Sequence, residues 1–187
     1  MRPLLCIFCP RDNAVFYDIV QQFPYDKLYI KYYPLLEART LARNFFLSYE
    51  KFDYFMILTD DLITRIEVFE KLIEDEKQHS HKIISGWCNG NITFGQYDTD
   101  FSFSLPPDPP ATGTYEGYKF VPITDILKIR KQYGDIVKVK HQGFNPSLIH
   151  RSIIEKIPFR VSGGCCSDSC FSIDLDAAGI DQYIDLD

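Results

Sequence analysis

The feature that most constrains the fold is an alternation of short apolar runs with segments that carry the apolar spacing of amphipathic helices. Leu4 to Cys9 reads as a first strand, Ala14 to Gln22 as a first helix, and Lys27 to Tyr33 as a second strand stopped by Pro34. In Glu37 to Tyr49, the residues Ala38, Leu41, Ala42, Phe45 and Tyr49 recur at i, i+3, i+4, i+7 and i+11, the face of a helix packed on a sheet. Phe52 to Thr59 is then a central strand, Ile66, Phe69, Leu72 and Ile73 mark a third helix, and Lys82 to Trp87 is a further strand. Strands alternating with helices in this way are βαβ units, so the chain is predicted to be α/β with a largely parallel sheet. Its 187 residues suit one sizeable core and a single domain.

From Gly95 to Val121 the texture changes. Pro106, Pro107, Pro109 and Pro110 sit among glycines, acids and the aromatics Tyr97, Phe101, Phe103, Tyr115 and Tyr118, which predicts a long surface loop. Such a loop serves either as a flap over an acceptor or as a segment its aromatics merely pin to the body. Beyond it, Thr124 is predicted to cap a short helix closing at Gly134, and Ile136 to Lys140 alternates as a strand. Ser147 to Ile149 is extended and leads to a helix over Ser152 to Ile157. Ser167 caps a last helix from Asp168 to Ala178, Gly179 stops it, and Gln182 to Leu186 is a last strand.

Charge and cysteines exclude several classes. Lys plus Arg is 20 against 26 for Asp plus Glu, a net charge of −6 without any basic cluster, which argues against nucleic acid as a partner. No apolar run reaches the ~18 residues of a membrane span. Met1 to Pro10 fits a first strand better than a signal peptide, which predicts a cytoplasmic protein. Cys6 and Cys9 are three apart on a strand and so point to opposite faces, which disfavours a zinc knuckle; Cys88, Cys165, Cys166 and Cys170 read as small buried hydrophobes. A structural disulfide fits only a hyperthermophile source. His79, His81, His141 and His150 lack the H-x-x-H spacing of metal ligands, and Trp87 reads as core.

Two adjacent acids, Asp60 and Asp61, follow the apolar run Tyr54 to Leu58. Carboxylates about 4 Å apart repel by ~1 kcal/mol in water and by about 4 kcal/mol at an effective dielectric near 20, so a strand tip that holds both calls for a cation. Magnesium or manganese, bound through oxygen ligands together with the phosphates of a nucleotide, would supply it. The plain alternative is a solvated turn.

Four motifs in order carry a resemblance. Cys9-Pro10-Arg11-Asp12-Asn13, Leu41-Ala42-Arg43-Asn44, Thr59-Asp60-Asp61, and Ser167-Asp168 followed by Ala178-Gly179 together resemble the GT-A glycosyltransferases, in particular the large inverting family two. Gly143 to Arg151 is similar to the family's stretch with an aromatic-Arg pair. The likeness covers nearly the whole chain and implies a single GT-A type domain, with a mixed, mostly parallel central sheet and helices on both faces. By the same likeness residues 1–94 form a nucleotide-binding half and residues 122–187 an acceptor-side half, with the loop 95–121 between them.

The resemblance implies transfer of a sugar, of hexosyltransferase type, from a nucleotide-sugar donor to a hydroxyl of a glycan or protein acceptor. Pro10, Arg11, Asn13, Arg43, Asn44 and Asp60 are placed at the donor, Asp60 and Asp61 at a Mn2+ or Mg2+ ion, and Asp168 as the base that accepts the acceptor's proton. Two departures stand out. Thr59 replaces the first acid of the family's D-x-D, and Lys31-Tyr32-Tyr33-Pro34 lacks the Asp-Asp-Gly-Ser that holds the nucleobase. Two rivals are a nucleotidyltransferase, which the lack of any Gly before Ile84 disfavours, and a binding or virion-associated protein that keeps the fold without turnover.

Overall fold

The computed structural model describes all residues except 10, 12, 61, 63, 94–95, 106–119, 145 and 164, with backbone alone for 89–93 and 96–97. In chain order the elements are β1 (Pro3–Cys9), α1 (Ala14–Gln21), β2 (Asp26–Lys31), α2 (Leu35–Ser48), β3 (Tyr54–Thr59), α3 (Ile66–His79), β4 (Ile83–Ser85), β5 (Asn89–Thr93), β6 (Gln96–Ser102), β7 (Phe120–Pro122), α4 (Ile126–Tyr133), β8 (Ile136–Val139), β9 (His141–Gln142), β10 (Ser147–His150), α5 (Arg151–Lys156), α6 (Ser167–Ala177) and β11 (Gln182–Asp185). The fold is mixed α/β, with, among the described residues, seven strands in its main sheet and four in a smaller one. The residues pack as two compact units, one of Met1–Ile83 with Phe144–Pro158, the other of Ile84–Gly143 with Phe159–Asp187.

In the first unit the strand order is β2-β1-β3-β10. β1 pairs in parallel with both β2 and β3, and Phe8 lies opposite Thr59. Leu4 to Cys9 and Tyr54 to Leu58 are buried throughout, as strands covered on both faces must be, and this explains why their apolar runs do not alternate. Phe46 of α2 meets Phe55 edge-on at 5.4 Å, and Phe69 of α3 meets Phe23 at 5.9 Å, which fixes those helices to the unit's core. β10 runs antiparallel to β3, with Ser147 opposite Ile57, which makes the sheet mixed, as the sequence resemblance implies. β2 ends two residues early because Tyr32 takes a left-handed backbone at φ 62° while donating its N–H to Cys9.

In the second unit β11 pairs in parallel with β4 and antiparallel with β8, and β6 pairs antiparallel with β5, β7 and β9. Phe101, Val121, Ile126, Val137, Val139, Ile184 and Leu186 form its core cluster. The predicted loop over Gly95 to Val121 is therefore corrected. Gln96–Ser102 is a strand, Phe101 is core, and β7 begins at Phe120, whereas Tyr115 and Tyr118 lie outside the described residues. Thr124 caps nothing by its side chain; it sits in a 3-10 turn over Ile123–Asp125 that leads into α4, which Gly134 ends at φ 93°.

Candidate functional site

The sequence-predicted donor residues fall in the first unit, and the structure gathers three of them. At the carboxyl ends of the parallel strands β1 and β3, the ladder continues one step, with the Asp60 N–H donated to the Phe8 carbonyl at 3.1 Å. This drives the Asp60 side chain inward, where only 1% of it is exposed. Such a buried carboxylate needs donors, and Arg11 provides them twice. Its backbone N–H reaches Oδ2 at 2.9 Å and its Nη2 reaches Oδ1 at 2.8 Å. Asn13 closes the arrangement by donating Nδ2–H to the Asp60 carbonyl at 3.1 Å, while its Oδ1 accepts the Phe16 N–H and caps α1. Pro10 and Asp61 lie outside the described residues.

Arg43 and Asn44 do not join this group. Arg43 donates from Nε to the Ile154 carbonyl at 2.9 Å and from Nη2 to that of Glu155 at 3.1 Å, so it satisfies carbonyls at the end of α5 rather than a phosphate or Asp60. Asn44 is exposed on α2. Arg151, the arginine of the Gly143 to Arg151 stretch, is structural in the same sense. It donates to the carbonyls of Phe46, Tyr49 and Phe52 and lies over the Phe46 ring at 4.5 Å, tying down the end of α2.

Asp60 by itself fits a divalent ion poorly, and its predicted partner Asp61 lies outside the described residues. Each carboxylate oxygen already carries an N–H, and a divalent ion bound there would stand about 4 Å from the guanidinium, a repulsion of about 8 kcal/mol at an effective dielectric of 20. Thr59, in the place of a first acid, is buried at the strand end. Among the described residues no group of three or more His, Cys, Asp or Glu is placed to hold a metal ion. None of the six cysteines is joined in a disulfide; Cys6, Cys9, Cys165 and Cys170 are buried as expected, whereas Cys88 is half-buried and Cys166 exposed.

Asp168 lies in the second unit, half-buried in the first turn of α6, where the helix dipole favours a carboxylate. Ser167 is inside the helix and Cys166 is the capping residue, one step from the prediction. Asp168 accepts the Ser169 N–H through Oδ1 at 3.1 Å, and its charge acts on Asp100, His141 and Cys166. His141 is buried, and burial lowers its pKa against the pull of Asp168; its Nε2 lies 3.2 Å from Ser169 Oγ. Burial of the thiol, then Asp168, pushes Cys166 up to about 11, which disfavours its thiolate at neutral pH.

Asp100 was passed over in the sequence as one acid of a loop. On β6 its Oδ1 accepts the Cys88 N–H at 3.0 Å and its carbonyl accepts the Gly143 N–H at 2.8 Å. Oδ2 is shut from solvent and has no hydrogen-bond partner among the described residues. A Cβ at Gly143 would meet that oxygen at 2.4 Å, so only glycine admits the carboxyl there. Burial raises its pKa to about 6, with the Cys88 amide opposing and Asp168 adding a little. The one signal for it in sequence was its alternation with the buried Thr99 and Phe101.

Among solved structures the chain is similar to A197 from STIV, with a TM-score of 0.61 and 15% identity over 98% of this chain and 81% of that one. No protein-family model matches the chain, and no curated protein matches it. At that identity the likeness shows the α/β fold and nothing of the chemistry.

Proposed function

We propose that the chain is an inverting glycosyltransferase that moves a sugar from a nucleotide-sugar donor to an acceptor hydroxyl on a glycan or protein. The observation that carries this reading is the gathering of Arg11, Asn13 and Asp60 at the carboxyl ends of two parallel strands, the place where open α/β sheets bind nucleotides. Asp168 supplies the base in this reading. It takes the proton of the acceptor hydroxyl, whose oxygen attacks the anomeric carbon as the bond to the nucleoside diphosphate breaks and the electron pair leaves with the diphosphate. Attack from the face opposite the leaving group inverts that carbon. The neighbouring His141 is held neutral by burial and does not compete as a cation for the Asp168 carboxylate.

Asp168→Asn tests the reading. Transfer should be lost while nucleoside diphosphates still shift the melting temperature; full activity in that variant refutes the base assignment. A second reading, a binding protein without turnover, is favoured by Thr59 in place of an acid, and it predicts nucleotide binding with no transfer to any acceptor. Among the described residues no helix is long and apolar enough to cross a membrane.

A further inference from the structure

We infer that Arg11, and not a divalent ion, is the cation of the donor site, so that the diphosphate of the nucleotide is bound by a guanidinium buttressed on the buried Asp60. This rests on the nucleotide-sugar reading above and concerns the same site. The physical requirement at the tip of β3 is a positive charge beside a buried carboxylate, and Arg11 meets it with two hydrogen bonds at 2.8 and 2.9 Å. The Asp60 carboxylate is buried, and the Arg11 guanidinium at 2.8 Å meets its charge.

Arginine suits the second half of the task. Its guanidinium carries five N–H donors in a planar fork that fits phosphate oxygens two at a time. The Asp60 side chain is 1% exposed whereas that of Arg11 is 62% exposed, so the carboxylate anchors the guanidinium from within while most of the Arg11 side chain stays accessible. The backbone N–H bond to Oδ2 and the Asn13 bond to the Asp60 carbonyl hold the loop that carries Arg11 against the strand end. An arginine fixed in this way loses less side-chain freedom when it meets an anion than one tethered by its stem alone.

Titration calorimetry of the full chain with inorganic pyrophosphate and with UDP, GDP, ADP and CDP, in EDTA and again in manganese chloride, decides the matter. The expected result is binding of at least one of these in EDTA, improved less than threefold by manganese and weakened at least tenfold by Arg11→Gln. Arg11→Lys, which keeps the charge and loses the fork, should fall between. A metal site predicts the opposite sign, because removing Arg11 clears the oxygens of Asp60 and should strengthen manganese-dependent binding. Binding by the unaltered chain only with manganese, or an Arg11→Gln affinity unchanged or increased, overturns the inference and leaves the nucleotide reading standing. Absence of binding under both conditions overturns the two together. The EDTA comparison uses the unaltered chain and does not depend on a variant folding.

Discussion

Asp100→Asn should make the protein more stable at neutral pH and less stable in acid. Asp100 has its pKa raised to about 6 from the ordinary 3.8, chiefly because burial disfavours its charge. A folded state that binds this proton more tightly than the unfolded chain gains most from it below pH 3.8. That stability is lost as pH rises from about 4 to about 6 and stays lost above. The gap between 3.8 and about 6 corresponds to about 3 kcal/mol at neutral pH. Asparagine cannot ionise and keeps an oxygen for the Cys88 N–H, but its amide sets unmet donors where Oδ2 lies shut from solvent, a cost of about 1 kcal/mol. The variant should therefore exceed the natural chain by about 2 kcal/mol at pH 7.5 and fall below it by about 1 kcal/mol in acid. Urea denaturation of both proteins at pH 4, 5, 6 and 7.5 measures the difference, in which other titrating groups cancel. A difference that stays within about 0.5 kcal/mol across that range, or swings the other way, refutes the account.

Three further outcomes follow from the geometry. Gly143→Ala brings a Cβ to 2.4 Å from Asp100 Oδ2 and should cost about 1–3 kcal/mol, part of which Asp100→Ala restores in the double variant; additive losses would show that the two positions do not meet. Arg43→Ala removes two bonds to the carbonyls of Ile154 and Glu155 and should lower the melting temperature by roughly 2–8 °C, a loss of about 1–2 kcal/mol; an unchanged melting temperature contradicts the structural role. Cys166 is exposed, yet with its pKa near 11 its thiolate fraction at pH 8 is about a hundredfold below that of a thiol at 9.0. Iodoacetamide labelling should accordingly be slow and should accelerate up to pH 11, while a rate that levels off near pH 9 counts against the shift.

The architecture was legible where burial leaves its mark on composition. β1 and β3 are covered on both faces and so are apolar without interruption, whereas the face of α2 that the spacing marks is buried only at Ala38 and Ala42, with Leu41, Phe45 and Tyr49 exposed and Arg39 and Phe46 buried instead. Strand direction was not legible. Ser147–His150 has four residues and no local property that records whether its neighbour runs with it or against it; only the pairing of Ser147 with Ile57 decides. β6 was hidden by the prolines and glycines that follow it, although Thr99 and Phe101 alternate inward as a strand should. Arg43 was misplaced because a motif names a side chain without saying where it points, and its partners lie 111 and 112 residues away. Asp100 was missed for the same reason, since Gly143 reaches it only through the pairing of β6 with β9.

The acid pair after β3 shows how far a charge argument carries when read from sequence. Coulomb repulsion between Asp60 and Asp61 favours a neighbouring cation wherever the two are held together away from water, and that much follows from two adjacent letters. The argument is indifferent to which cation answers it. A metal is the answer that a motif of acids brings forward, because the acids are contiguous, whereas Arg11 is 49 residues away and is delivered only by the parallel pairing of β1 with β3. Once that pairing places the end of β1 beside the end of β3, a guanidinium and a backbone N–H reach the two Asp60 oxygens. The departure from D-x-D and the presence of Arg11 then meet at one place: the buried Asp60 carboxylate at the strand tip is neutralised by a charge supplied by the chain itself.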